Sequence, residues 1–328
     1  MNRQSNNVVT LWEHGLTLSR ALFLLLLMAT TLQGEPQDLA QQLNKATSAA
    51  ITDATATKEY HLAYRMKAGQ NVRSRVVHLV SMDTKIEGEF ESIKSRSVST
   101  RVFQISHVDD QGNMTFVHLV EDAELWQKVT GKDEVRYDSR RNEVVPENYI
   151  KVAEAIGKPL ATITISPAGT IVRRDDAVSQ FNPGIGMLMP QLPQRSVKIG
   201  QRWFGMEKVR VRLKSGRVQA IQLRKQYKLE QVKNGLATIS VRTQVLTPVN
   251  DPKIQSQLMQ RLQHGTIKFD LDAGRIYSSK MELDERVIGF RGAASMIHYL
   301  SRMTETQVIS TGPRPPSSST ASSVGQGD

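Results

Sequence analysis

Two stretches of the chain share one grammar. TITISPAGTIV occupies residues 162–172 and TIKFDLDAGRIY residues 266–277. In each, a period-two run reaches an Ala-Gly pair and a second alternating run follows, the pattern of two antiparallel strands joined by a tight turn. Each is preceded by a short helix signal. Pro146-Glu147-Asn148 opens Tyr149–Ile156 and Gly157 closes it, while Asn250-Asp251-Pro252 opens Ile254–Leu262 and Gly265 closes it. In the second, Asn250 or Asp251 caps, and Ile254, Leu258 and Leu262 share a face.

The pairing extends upstream. Lys67-Ala68-Gly69-Gln70 matches Lys198-Ile199-Gly200-Gln201, and the hairpin ISHVDDQGNMTFVHLV matches LEQVKNGLATISVRTQV, whose Asn234-Gly235 is a strong turn signal. Five elements recur in the same order, with an offset that falls from 131 at Gly69/Gly200 to 104 at Thr162/Thr266. The order predicts two internal repeats, 58–180 and 198–309, each with one helix.

Alternation dominates between these landmarks. Val209, Val211 and Leu213 point one way and Arg210, Arg212 and Lys214 the other. Ile221, Leu223, Tyr227 and Leu229 continue an apolar face, as do Ala237, Ile239, Val241 and Val245; residues 93–106 form a long strand candidate. One-faced strands of this kind suit an antiparallel sheet with a wet side. The predicted fold class is mainly β: one curved antiparallel sheet, a barrel or half-barrel, with the helices plugging or covering its concave face. Met296–Ile309 is read as a closing strand, with a helix as the alternative.

The ends fall outside this domain. Arg20 precedes the apolar run Ala21–Ala29, too short to span a bilayer comfortably and right for a signal peptide over 1–34; an uncleaved anchor is the alternative. Residues 35–57 read as a flexible spacer and 310–328 as a disordered tail. The chain is therefore expected to be exported, periplasmic or secreted. It has no cysteine, which excludes disulfides, thiolate metal sites and cysteine catalysis.

No catalytic constellation is visible, and the chain reads as a non-enzyme without cofactor or metal. His78, His107 and His118 lie in strand-like segments without metal-ligand spacing, and HExxH and GxSxG are absent. Asp270 and Asp272 resemble the start of a calcium loop, but position twelve would be Met281 and strands flank the segment, so a turn is the better reading. Trp126 and Trp203 are read as core or end plug.

Two features carry candidate binding residues. The linker FNPGIGMLMPQLPQ (181–194) is unusually apolar for a loop; Ile185, Met187, Leu188, Met189 and Leu192 form a candidate lid or lipid contact, against simple packing on the sheet edge. Between Lys198 and Lys233 stand eleven Lys/Arg and two Glu in a chain of net charge +11. Arg210, Arg212, Lys214, Arg217, Arg224 and Lys225 are candidates for holding an anionic envelope surface, against a plain solvated face. Nucleic acid is not expected as a partner of an exported chain.

At PQLPQRSVKIGQRW and LTPVNDPKIQSQLMQRLQHGTIKFDLDAGRI the chain resembles a planctomycete-type family of exported bacterial proteins of unknown function, over most of 58–309. The shared motifs are structural and imply no catalytic residues. More loosely, a curved sheet with helices on its concave face resembles the LolA- and LppX-like lipoprotein-carrier half-barrels, which implies acyl chains held in the concavity. The leading expectation is thus a carrier or binding module for an apolar or acylated ligand, with a pocket lined by Leu, Ile, Val and Met. The alternative is an envelope-associated interaction protein.

Overall fold

The computed structural model describes residues 58–141, 144–177, 189–213 and 215–308. The expected signal peptide, spacer and tail lie outside the described residues, as do Ile185, Met187, Leu188 and Lys214.

The elements in order are β1 (Glu59–Tyr60), β2 (Asn71–Ile86), β3 (Glu89–Val108), β4 (Met114–Val129), β5 (Val135–Asp138), α1 (Ile150–Ala155), β6 (Ala161–Ile165), β7 (Ile171–Asp176) and β8 (Val197–Lys198). There follow β9 (Arg202–Arg212), β10 (Val218–Lys233), β11 (Leu236–Val245), α2 (Pro252–Leu258), β12 (His264–Asp270), β13 (Arg275–Ile288) and β14 (Met296–Gln307). A 12-stranded antiparallel sheet runs β7-β6-β4-β3-β2-β14-β13-β12-β11-β10-β9, with β5 added to β4. The sheet is curved and not closed. The closing stretch from Met296 is a strand, as first read, and joins β13 to β2.

Two runs of elements share an order, β2-β3-β4, α1, β6-β7 and β9-β10-β11, α2, β12-β13, with β5 and β14 standing outside it. Both helices sit where sequence places them. Asp251 caps α2, its carboxylate accepting from the Lys253 backbone N–H at 2.9 Å. Asn234 and Gly235 both hold positive φ at the β10–β11 turn, the backbone that an Asn-Gly hairpin requires.

The interior face follows from alternation. Phe103, Phe116, Ile163, Tyr227, Leu229, Ile239, Ile267, Phe269, Met281 and Met303 belong to one buried cluster. The helices cover two patches of this face, α2 over Val211, Ile221 and Leu223, and α1, through Ala155, beside Val120 and Leu160. The centre is filled by something else. An extended segment, with Leu62, Tyr64 and Met66 buried at period two, lies among the sheet's interior residues. Tyr60 of β1 pairs with Val197 of β8, so the segments leading into both halves meet as a small second sheet. Each fully buried side chain of this size contributes roughly 1.5–3 kcal/mol. The expectation that the helices plug or cover the concave face is thus incomplete, because the entering segment fills its centre.

The two Ala-Gly turns hold this segment. The Tyr64 N–H donates to Pro167 O at 2.8 Å and the Arg65 N–H to Gly274 O at 2.9 Å. A Cβ on Gly169 would stand 2.7 Å from both the Tyr64 ring and Pro190 O, and one on Gly274 would stand 2.7 Å from Arg65 N. Both glycines also have positive φ, so space and backbone shape each select glycine there.

Candidate functional site

The two end strands of the sheet's main path, β7 and β9, face each other across a cavity. Ile171, Arg174 and Asp176 of β7 line one side and Gly205, Met206 and Glu207 of β9 the other. The volume is about 450 Å³, within the range of small-molecule sites. Residues from Met189 onward strap across this seam. The Leu192 N–H donates to Ala168 O at 2.8 Å, Trp203 Nε1 to Gln191 O at 2.8 Å, and the Tyr64 hydroxyl to Pro190 O at 3.0 Å. A second hollow of about 510 Å³ lies beside the first, lined by the strap with Trp203 and Phe204.

The cavity has an apolar floor and a charged wall. Phe116, Ile163 and Ile165 come from the inner face of β4 and β6. Lys225 bonds Glu207 at 2.9 Å, and Arg261 approaches the other oxygen of Glu207 at 3.6 Å. Arg174 pairs with Asp176 at 2.7 Å. Three cations and two carboxylates therefore line the cavity, a surplus of one positive charge.

His118 is the unusual wall residue. It is 3% exposed, and its Nε2 has no hydrogen-bond partner. Burial, then the charges of Arg101 and Arg174, push its pKa down to about 3. The ring is neutral at ordinary pH, and its Nε2 holds no hydroxyl for proton transfer. Burial likewise raises the Tyr227 phenol to about 12. Deeper in the chain, Arg101 and Glu305 form an ion pair with both residues buried. Among the described residues no group of three or more His, Asp or Glu could hold a metal.

The residues singled out from sequence are dispersed. Met189 lines the cavity, whereas Leu192 is 4% exposed within the core. Arg210 and Arg212 are exposed on the outer face of β9, and Arg217 is exposed in the β9–β10 turn. Arg224 shares the outer face, lying over the Phe204 ring at 4.8 Å. Lys225 leaves this group and belongs to the cavity. Asp270 accepts from the backbone N–H groups of Asp272 and Ala273 at 3.0 and 2.8 Å, so its carboxylate shapes the turn. Trp203 stacks on Tyr227 with centroids 5.6 Å apart, and Trp126 donates to Glu134 at 3.1 Å. The histidines of the first half do not converge: His78 is half-buried on β2, His107 is exposed on β3, and His118 alone lines the cavity.

Sequence reasoning named His118 only as a strand histidine without metal-ligand spacing, and singled out none of Arg174, Asp176, Glu207 and Arg261. A signal existed for two of the cavity's polar residues. His118 continues Met114 and Phe116 at period two, and Lys225 sits between Leu223 and Tyr227 at the same spacing. A polar residue in register with an apolar face belongs to that face. The other residues depend on which edges meet.

No family model matches the chain, and no curated protein matches it. Among solved structures it is similar to one described as "Lipid-protein interactions in lipovitellin", at 10% identity and TM-score 0.40, over 74% of this chain and 25% of that one. It is also similar to a "putative outer membrane lipoprotein-sorting protein domain" from Vibrio parahaemolyticus, at 10% identity and TM-score 0.12, over 74% of this chain and 87% of that one. The chain thus spans a quarter of the first of these. At such scores the fold description rests on the strand pairing itself.

Proposed function

We propose that this protein binds a small amphipathic or apolar ligand in the cavity between β7 and β9. The supporting observation is the cavity itself: about 450 Å³ open between β7 and β9, with Phe116, Ile163 and Ile165 as its floor. The reading narrows the expectation drawn from sequence. The concavity as a whole is not the site, because Leu62, Tyr64 and Met66 fill its centre. The site is also not wholly aliphatic, since charged groups form one wall. Its walls offer binding groups, and the role fits a carrier or sensor better than a catalyst. Export through the apolar run at 21–29 belongs to the same proposal.

Titration with N-phenyl-1-naphthylamine tests it. Fluorescence is expected to saturate at about one dye per chain. Ile171→Trp, at a cavity-lining position 54% exposed and so tolerant of bulk, is expected to weaken uptake about tenfold. Non-saturable uptake, or uptake indifferent to this substitution, overturns the reading.

A further inference from the structure

The cavity's charges point to more than apolar capture. We infer that it selects a long-chain monoanion, a fatty carboxylate whose headgroup lies among His118, Lys225, Arg174 and Arg261 and whose chain lies over the apolar floor. This rests on the cavity reading above and adds what the cavity discriminates.

Three observations carry it. First, the wall holds one more cation than carboxylate among the described residues, and the surplus is local: one carboxylate, Glu207, faces both Lys225 and Arg261. A second carboxylate entering there can take one of the two cations while Glu207 keeps the other. A ligand without charge leaves the surplus in a partly desolvated site, and a cationic ligand adds to it. Second, His118 is a residue of the same lining, and its Nε2 is buried without a hydrogen-bond partner. A buried polar atom without a partner is destabilising until one arrives. In the tautomer with the proton on Nε2, the neutral imidazole donates to a carboxylate oxygen. Third, polar and apolar linings occupy one continuous cavity, so an anion without a chain satisfies only half of it. A carboxylate accepts through two oxygens, which suits the pairing of one charge-assisted bond with one neutral donor.

The experiment displaces N-phenyl-1-naphthylamine from the full chain with oleate, oleyl alcohol, oleylamine and acetate. Oleate is expected to displace the dye at least ten times more strongly than oleyl alcohol, and oleylamine more weakly than either. Acetate is expected to leave the dye in place, which distinguishes a lipid headgroup from a free anion. Lys225→Met and His118→Phe are each expected to lower the oleate-to-alcohol affinity ratio several-fold, and Lys225→Arg to restore most of it. Thermal unfolding of each variant checks that it is folded, and the Lys225 pair carries the test if His118→Phe is not. Equal displacement by oleate and oleyl alcohol overturns this inference and leaves the cavity reading standing. So does a ratio that survives Lys225→Met. Failure of the dye to bind at all overturns both.

Discussion

His118 shows how one side chain couples site and stability. Its folded pKa of about 3 lies below the ordinary histidine value, because burial and two nearby guanidinium groups oppose the imidazolium. The unfolded chain therefore binds the proton more readily between about pH 6.5 and pH 3. Stability from the neutral buried ring is fully present above pH 6.5 and is lost as pH falls below it. Between pH 7 and pH 4.5 the expected loss from this residue is about 2–3 kcal/mol, at roughly 1.4 kcal/mol per tenfold difference in proton affinity. His78, also lowered by burial, adds in the same direction. Urea denaturation at the two pH values checks this. The His118→Phe chain is expected to lose about 2–3 kcal/mol less than the parent, and an equal loss in both contradicts the assignment. The ring's burial was legible at residue level, since Met114, Phe116 and His118 alternate onto one face. Its missing partner was not, because an unfilled hydrogen bond leaves no mark in a sequence.

The Ala-Gly turns change meaning once the elements are in place. Read along the chain, each is a hairpin turn between strands, and both are. In the fold they also grip the extended segment carrying Leu62, Tyr64 and Met66, one from each half. This second role was hidden. Period two in Leu62, Tyr64 and Met66 marks an extended chain, but does not say whether that chain joins the sheet or lies within it. Gly169→Ala and Gly274→Ala each force a Cβ to within 2.7 Å of the gripped segment at positive φ, so each is expected to cost about 2–4 kcal/mol through backbone strain and crowding. Gly131→Ala shares the positive φ but meets nothing within 4 Å, and is expected to cost about 1 kcal/mol. Denaturant midpoints compare the three. Equal costs would show that the turns need glycine for their own shape alone. By contrast, the α2 cap, narrowed to Asn250 or Asp251, the Asn-Gly turn and the places of both helices were legible, because their causes are local.

At the scale of the molecule, the mainly β class and the curved sheet were legible from alternation, while its opening was not. Whether a curved sheet closes depends on strand number and stagger, and these are fixed only when all the strands have paired. The break falls between β7 and β9, where both edges carry exposed apolar groups, among them Ile171, Val172, Phe204 and Met206. β7 offsets this with Arg173–Asp175 and Arg174–Asp176 pairs, the kind of charge that discourages edge-to-edge association. This break is the proposed binding site. Because the chain has no cysteine, one introduced thiol can be labelled cleanly. Met206→Cys places a polarity-sensitive fluorophore at the cavity mouth, where the native side chain is 59% exposed. Phe90→Cys, at the exposed start of β3 and away from the cavity lining, serves as the reference. On titration with oleate below its critical micelle concentration, the label at 206 is expected to shift and saturate near one equivalent while the label at 90 does not respond. No saturable change at 206, or the same change at both positions, would contradict the account.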